Sequence, residues 1–210
     1  MKLDIVDRLP DALQESAIAQ NIVKGQRLFR RGDRANYLYL IQQGRFQEVS
    51  YPENAKMAVL QILNMGDTLG ETGLFKQAYR STAIAQIDSQ VIAYPVSVLK
   101  EQLQRSPLVM ETSIEILSRK IYEFQVRLEW RSISLADCRV LEYLKHQLEK
   151  VSQDREDAAT TLTLNTPLQE IAAELGFVPG TLSRALAKLE ADRTIQRENN
   201  RITLLDTDIA

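Results

Sequence analysis

An abrupt change of pattern at Ser106-Pro107 constrains the fold more than any other feature of this chain. Before it, short apolar or alternating runs are separated by Gly, Asp and Asn, which is typical of strands joined by tight turns. Serine followed by proline is a strong helix-start signal, and residues 108–132 contain neither glycine nor proline. The pattern predicts a β-rich first domain followed by a long helix.

The first domain is predicted to be an antiparallel roll of two sheets, a double-stranded β-helix or jelly roll. Rolls of this kind commonly hold a ligand between their sheets. A short helix is expected within Pro10–Gln20, and the predicted strands are Gln26–Phe29, Tyr37–Ile41, Arg45–Ser50, Met57–Leu63, Ile84–Ile87 and Val91–Pro95.

The long helix carries apolar residues at alternating spacings of four and three, which is the seam of a two-stranded coiled coil. Its 25 residues would span roughly 37 Å at about 1.5 Å per residue. We therefore expect a homodimer. The alternative is a helix packed on its own domain. The apolar residues Ile116 and Val126, which lie outside the seam, are consistent with that alternative. The seam consists of Met110, Ile114, Leu117, Ile121, Phe124 and Leu128.

The C-terminal part has the pattern of a winged helix-turn-helix. Thr166 as a helix cap and Pro167 in the first turn are a start signal for a helix over Leu168–Leu175, Gly176 gives the turn, and Pro179–Ala191 forms a second helix. A hairpin of Thr194–Arg197 and Arg201–Leu204 would form the wing. The fold class is α+β, with domains at 1–106 (sensor), 107–133 (dimerisation helix) and 134–210 (winged helix-turn-helix).

The second helix of the pair would present short and cationic side chains to a major groove. Arg184 is the leading base or phosphate contact, because a guanidinium can bond both acceptors of a guanine edge. Thr181 and Ser183 can serve phosphate or base, and Lys188 a backbone phosphate. The predicted DNA-binding residues are Pro179, Gly180, Thr181, Ser183, Arg184 and Lys188.

A glycine-rich loop in the first domain carries a carboxylate and a guanidinium. Glycines at 66, 70 and 73 let backbone N–H groups approach an anion. Arg80 would bind phosphate oxygens, whereas Glu71 would accept sugar hydroxyl protons. This pair predicts a sugar-phosphate ligand; the plainer interpretation is a surface ion pair worth about 0–1 kcal/mol.

Several motifs resemble the Crp/Fnr family of bacterial transcription factors over nearly the whole chain: Gly70-Glu71-x-x-Leu74-Phe75 with Arg80-Ser81, the turns at Gly32-Asp33 and Gly44, and the helix pair above. The resemblance implies that Glu71 holds a ribose 2′-hydroxyl, Arg80 a cyclic phosphate, and Ser81 a further hydroxyl contact. Cyclic AMP, or cyclic GMP, is then the expected effector, with no prosthetic group. The predicted ligand-binding residues are Gly70, Glu71, Thr72, Arg80, Ser81, Phe124 and Gln125.

Two positions depart from the family pattern. Pro179-Gly180 stands where relatives commonly have a Glu or Arg pair, so the usual half-site sequence does not carry over. Phe124-Gln125 stands where cyclic-AMP-responsive relatives offer small hydroxyl residues to the purine. The resemblance implies double-stranded DNA and a second copy of the chain as partners, and RNA polymerase as a candidate third.

Cysteine and histidine usage excludes several chemistries. Cys138 and His146 are the only residues of their kinds, so no disulfide forms within one chain and the several thiolates of an iron–sulfur cluster are lacking. Cys138 is expected to be a small apolar packing residue and His146 a surface residue. With no signal peptide and no apolar run long enough for a bilayer, the protein is expected in the cytoplasm, without a membrane partner.

These features predict a homodimeric transcription regulator whose roll binds a cyclic nucleotide and controls operator binding allosterically. An alternative is the same regulator with no nucleotide effector or a different small molecule. A remote alternative is a phosphoester-processing enzyme using Glu71, which would lack an evident nucleophile, metal shell or histidine base.

Overall fold

The structure is a computed structural model that describes residues 9–51, 57–152 and 160–205. The chain divides into two compact units, residues 1–120 and 121–210, and the division falls inside the long helix.

The first unit is a roll of two antiparallel sheets, with one helix before the strands and another after them. In chain order the elements are α1 (Asp11–Ser16), β1 (Ile18–Ile22), β2 (Arg27–Phe29), β3 (Tyr37–Gln43), β4 (Arg45–Ser50), β5 (Ala58–Asn64), β6 (Thr68–Leu69), a 3-10 turn (Glu71–Gly73), β7 (Thr82–Ala85), β8 (Ser89–Pro95) and α2 (Val96–Arg105). Among the described residues the strand orders in the two sheets are β1-β8-β3-β6 and β2-β7-β4-β5.

The roll is held together by apolar side chains that alternate along its strands. A stack of rings lies in this core, with the centroids of Phe29 and Tyr79 3.9 Å apart. A second cluster, including Leu13, Leu99 and Val109, buries α1, α2 and the start of the following helix. The six predicted strands are all present, with ends shifted by up to two residues, whereas β1, β6 and α2 were not predicted.

The long helix α3 (Pro107–Ser132) begins and ends within a residue of its prediction. The Ser106 hydroxyl accepts a hydrogen bond from the Val109 N–H at 3.4 Å, as its capping role requires. The seam residues Met110, Ile114, Leu117, Ile121, Phe124 and Leu128 are all exposed, by 42% to 68%. Val126 instead packs into the core of the second unit.

The second unit is a winged helix-turn-helix built on one apolar core. Its elements after α3 are α4 (Ala136–Ser152), β9 (Thr161–Thr163), α5 (Leu168–Glu174), α6 (Pro179–Ala191), β10 (Ile195–Glu198) and β11 (Arg201–Leu204). The helix pair and the β10–β11 hairpin confirm the prediction, and β9 is an unpredicted third strand beside β11. No helix in the described ranges is both long and apolar enough to cross a membrane.

Three local predictions were wrong. Thr166 does not cap α5, which Pro167 precedes without a side-chain cap. Cys138 is exposed rather than packed. His146 is only 6% exposed, because its ring packs edge-on against Trp130 with 5.3 Å between centroids.

Candidate effector site and DNA-reading surface

Gly70 sets the conformation of the predicted ligand-binding loop. Its φ of 95° lies in the left-handed region, and an added Cβ would come within 3.0 Å of the Tyr79 ring and 3.2 Å of the Tyr37 carbonyl. The Tyr79 hydroxyl donates to that same carbonyl at 2.7 Å, so the ring cannot move away freely. Glycine is therefore required here, and the turn places Glu71 at the start of the 3-10 segment.

The Glu71 carboxylate is oriented by two neighbours that the sequence did not indicate. The Lys120 ammonium lies 2.6 Å from Glu71 Oε1, and the side chains of this pair are only 13% and 12% exposed. The Thr68 hydroxyl donates to the same oxygen, and Lys120 also donates to the Thr68 carbonyl at 2.6 Å. Because these contacts all fall on Oε1, Oε2 is left to accept hydrogen bonds from a ligand.

Arg80 forms no hydrogen bond or ion pair with Glu71 or Lys120. Its side chain is exposed and forms no ion pair with any other residue that the structure describes. The structure therefore does not join Arg80 to Glu71, and the plainer surface ion-pair interpretation does not hold. Thr72 is also exposed, within the 3-10 turn. A guanidinium without an ion-pair partner among the described residues, on the same chain segment as an oriented carboxylate, suits a ligand with an anionic group and hydroxyls.

Ser81 is buried and its hydroxyl has a partner within the protein. It donates to Glu48 Oε1, while the Gln61 side-chain amide donates to Glu48 Oε2. Neither Glu48 nor Gln61 was among the predicted site residues. A sequence signal existed, since Glu48 follows Phe46 by two residues in β4 and must face the same side of the strand as that buried ring.

Phe124 and Gln125 lie in the second unit, both exposed. The Arg127 guanidinium lies 5.3 Å from the centre of the Phe124 ring, a cation–π contact. Their role toward the base of a nucleotide stays a prediction.

Helix α6 buries one face and exposes the other. Leu182, Ala185, Leu186 and Leu189 pack into the core, because they recur at helical spacing on one side. The opposite side carries Pro179, Gly180, Ser183, Arg184 and Lys188, all exposed, with Thr181 half-buried. Among the residues that the structure describes, the Arg184 guanidinium makes only local contacts, to the Gly180 carbonyl at 3.2 Å and the Thr181 hydroxyl at 3.5 Å. Arg184 can therefore exchange these contacts for a base edge or phosphate.

Lys188, by contrast, has a partner within the unit. Its ammonium donates to Asp137 at the start of α4. This hydrogen bond raises the pKa of Lys188 and lowers the pKa of Asp137, so both groups are charged near neutral pH. A phosphate contact by Lys188 would have to compete with this carboxylate.

A cluster of charged groups that the sequence analysis missed links the C-terminal half of α3 to α4 and α5. Glu123 accepts from Lys150 at 2.7 Å and lies 3.5 Å from His146 Nε2. Arg127 donates to Glu174 at 3.3 Å and lies 3.8 Å from Glu123. No simple pattern flags the cluster, because its members come from three separate helices.

The two carboxyls of this cluster shift in opposite directions. Burial disfavours the charged form of Glu123, but Lys150 and the nearby His146 outweigh burial and lower the pKa of Glu123 to about 2. Burial dominates at Glu174 and raises its pKa, although Arg127 opposes the shift. Glu123 is thus the firmly ionised member.

Comparisons with known proteins place both units in defined families. Residues 19–106 match the cyclic nucleotide-binding domain, and residues 138–208 match the Crp-like helix-turn-helix domain. The two matches span most of the chain and occur in the order seen in the fold. The chain belongs to the Crp/Fnr family of DNA-binding transcription regulators.

Curated relatives agree with this assignment, and solved structures agree with the fold. The chain is 23% identical to Electron transport regulator A of Shewanella oneidensis, with 96% of this chain and 79% of the relative covered. It is 23% identical to the transcriptional activator protein FnrA of Stutzerimonas stutzeri, covering 99% and 83%. In fold it is similar to a CooA mutant from Carboxydothermus hydrogenoformans, at a TM-score of 0.79, 20% identity and coverage of 97% and 91%. FixK2 from Bradyrhizobium japonicum gives a TM-score of 0.73, 19% identity and coverage of 90% and 93%.

Proposed function

We propose that this protein is a homodimeric, sequence-specific regulator that reads DNA with α6. The exposed face of α6 carries the proposal, since it combines Arg184 with short side chains that allow close approach to base edges. The acidic pI of about 5.6 is compatible with DNA binding. Binding depends on the electrostatic potential of the surface that contacts DNA rather than on the net charge of the whole chain.

The exposed seam of α3 supports the dimer. Six apolar side chains at coiled-coil spacing are left in water by a single chain, although apolar side chains repeated in this way are normally buried in a partner helix. A two-fold dimer would also present two copies of α6 to successive turns of one face of DNA.

For the roll, we propose a cyclic nucleotide effector, with cyclic AMP as the first candidate. Glu71 has one oxygen oriented by Lys120 and Thr68 and the other free, as acceptance of a ribose hydroxyl requires. Arg80 is uncommitted and exposed, as a phosphate partner should be before binding. A structural neighbour at TM-score 0.70 is described as a c-di-GMP-responsive global regulator of Xanthomonas campestris, which supports a nucleotide effector as a candidate here.

One observation favours a second candidate, the same regulator without a cyclic nucleotide effector. Ser81 is the residue expected to add a hydroxyl contact to the ligand, but its hydroxyl donates a hydrogen bond to the Glu48 carboxylate of its own roll instead. An effector of different chemistry, or none, would suit that arrangement.

Selection of random DNA fragments by the purified protein tests the proposal. We expect enrichment of an inverted repeat whose half-sites lie about 34–36 Å apart, one turn of DNA, because two α6 helices related by a two-fold axis require it. Enrichment only when cyclic AMP or cyclic GMP is added would support the nucleotide effector, and equal enrichment without either would support the second candidate. Recovery of no common sequence would contradict the proposed function itself.

A further inference from the structure

We infer that Glu48 is a specificity-determining residue of the effector site, one that disfavours a phosphate at Ser81. The inference rests on the second candidate of the proposed function, a regulator whose effector is not a cyclic nucleotide, since it concerns the ligand of the same roll. It assigns the wild-type roll a preference for effectors that present a hydrogen-bond donor, such as a hydroxyl, amide or amine, at this position.

The backbone fixes Glu48 inside the roll. Glu48 lies near the centre of its sheet, with its Cα opposite Gln61 of β5 on one side and Ala83 of β7 on the other. Its side chain is 9% exposed and follows the fully buried Phe46 on the same strand face. The carboxylate therefore cannot turn into solvent without disturbing the sheet.

The partners of Glu48 are neutral. Its two oxygens accept from the Ser81 hydroxyl and the Gln61 amide, and no ion pair joins Glu48 to any residue within the described ranges. The negative electrostatic potential around a buried carboxylate stays strong when its hydrogen-bond donors are all neutral, because no cation compensates the charge.

This arrangement acts on a phosphate in two ways. The Ser81 hydroxyl can donate one hydrogen bond, and it already donates that bond to Glu48. It therefore has no donor left for a phosphate oxygen. A phosphate close enough to Ser81 for a hydrogen bond would also lie beside the Glu48 carboxylate, and like charges at that separation repel strongly away from bulk water. A ligand donor at the same place would instead add a third hydrogen bond to Glu48.

The test is cyclic nucleotide binding by Glu48→Gln, which keeps the size and acceptor of the side chain while removing its charge. Titration calorimetry with cyclic AMP and cyclic GMP would be run on the wild type, Glu48→Gln, Glu48→Val and the double variant Glu48→Gln/Arg80→Ala. Glu15→Gln, an exposed glutamate of α1, is the matched control. Thermal melting would identify which of the two Glu48 variants is folded at the assay temperature.

We expect a folded Glu48 variant to bind at least one of the two nucleotides at least tenfold more tightly than the wild type, and the double variant to lose that gain. Glu15→Gln should bind as the wild type does. A gain below tenfold for both nucleotides, or a gain that survives removal of Arg80, would overturn the inference. DNA-fragment selection by the wild type is a separate readout, so failure of the proposed function would be distinguished from failure of the role given to Glu48.

Discussion

The largely buried Glu123 connects several residues of the second unit. Its carboxylate accepts a hydrogen bond from Lys150 and lies near both His146 and Arg127. Its partners come from α3 and α4, so one carboxylate ties two helices together. Removing the Glu123 carboxylate leaves the largely buried Arg127 guanidinium with one acceptor fewer, which costs more than an exposed ion pair contributes.

The lowered pKa of Glu123 gives a pH-dependent prediction. Because the folded pKa of about 2 lies below the ordinary value of 4.5, ionised Glu123 stabilises the fold above pH 4.5, and this stabilisation is lost as pH falls toward 2. We expect Glu123→Gln to lower the free energy of unfolding by about 1–3 kcal/mol at pH 7, and the difference from wild type to shrink below about pH 4.5. Urea unfolding followed by the fluorescence of Trp130, the only tryptophan, reports on this unit.

Glu149→Gln is the matched control for Glu123. Glu149 lies 3.7 Å from the same histidine but is 59% exposed, so its loss should change stability by less than about 0.5 kcal/mol. Equal costs for the two variants, or a Glu123→Gln cost that does not vary between pH 7 and pH 3, would contradict the role given to Glu123.

Among the helices, α3 has one face that packs into a core and another that is apolar but exposed. Val126 and Trp130 pack into the core of the second unit, while the seam at coiled-coil spacing is exposed along the helix. Lys120, next to the seam residue Ile121, holds Glu71 in the first unit. A partner helix on the seam would therefore contact α3 next to Lys120, the residue that orients Glu71.

Ile121→Glu is expected to weaken the dimer. It places a charge in the middle of the seam, where burial in a partner helix would desolvate it, so the dimer dissociation constant should rise at least tenfold. Analytical ultracentrifugation over a concentration series measures this. Tyr122→Glu, an exposed position on another side of the same helix, should leave the dimer intact. A monomeric wild type, or equal effects of the two substitutions, would be inconsistent with the seam as the dimer contact.

For the whole molecule, the local sequence pattern was sufficient to predict the architecture but not the side-chain contacts of the candidate site. Strand alternation, the Ser106-Pro107 start of α3 and the Gly176 turn act over a few residues, so the roll, long helix and helix pair were predictable. The bonds of Lys120 to Glu71 and of Ser81 to Glu48 join residues 49 and 33 positions apart, and only folding brings them together. His146 was misjudged for the same reason, since Trp130 and Glu123 that bury it lie on α3, whereas His146 lies on α4.

The affinity of Arg184→Ala for a selected DNA fragment tests the central claim, that α6 reads DNA sequence, most directly. Fluorescence anisotropy at fixed salt would compare the wild type, Arg184→Ala and the exposed control Arg105→Ala of α2 on the selected inverted repeat and on a scrambled fragment. We predict that Arg184→Ala loses about 10–100-fold in affinity for the repeat, equivalent to about 1–3 kcal/mol for a bidentate base contact, and much less on the scrambled DNA. Arg105→Ala should match the wild type on both. Undiminished preference of Arg184→Ala for the repeat would contradict the account.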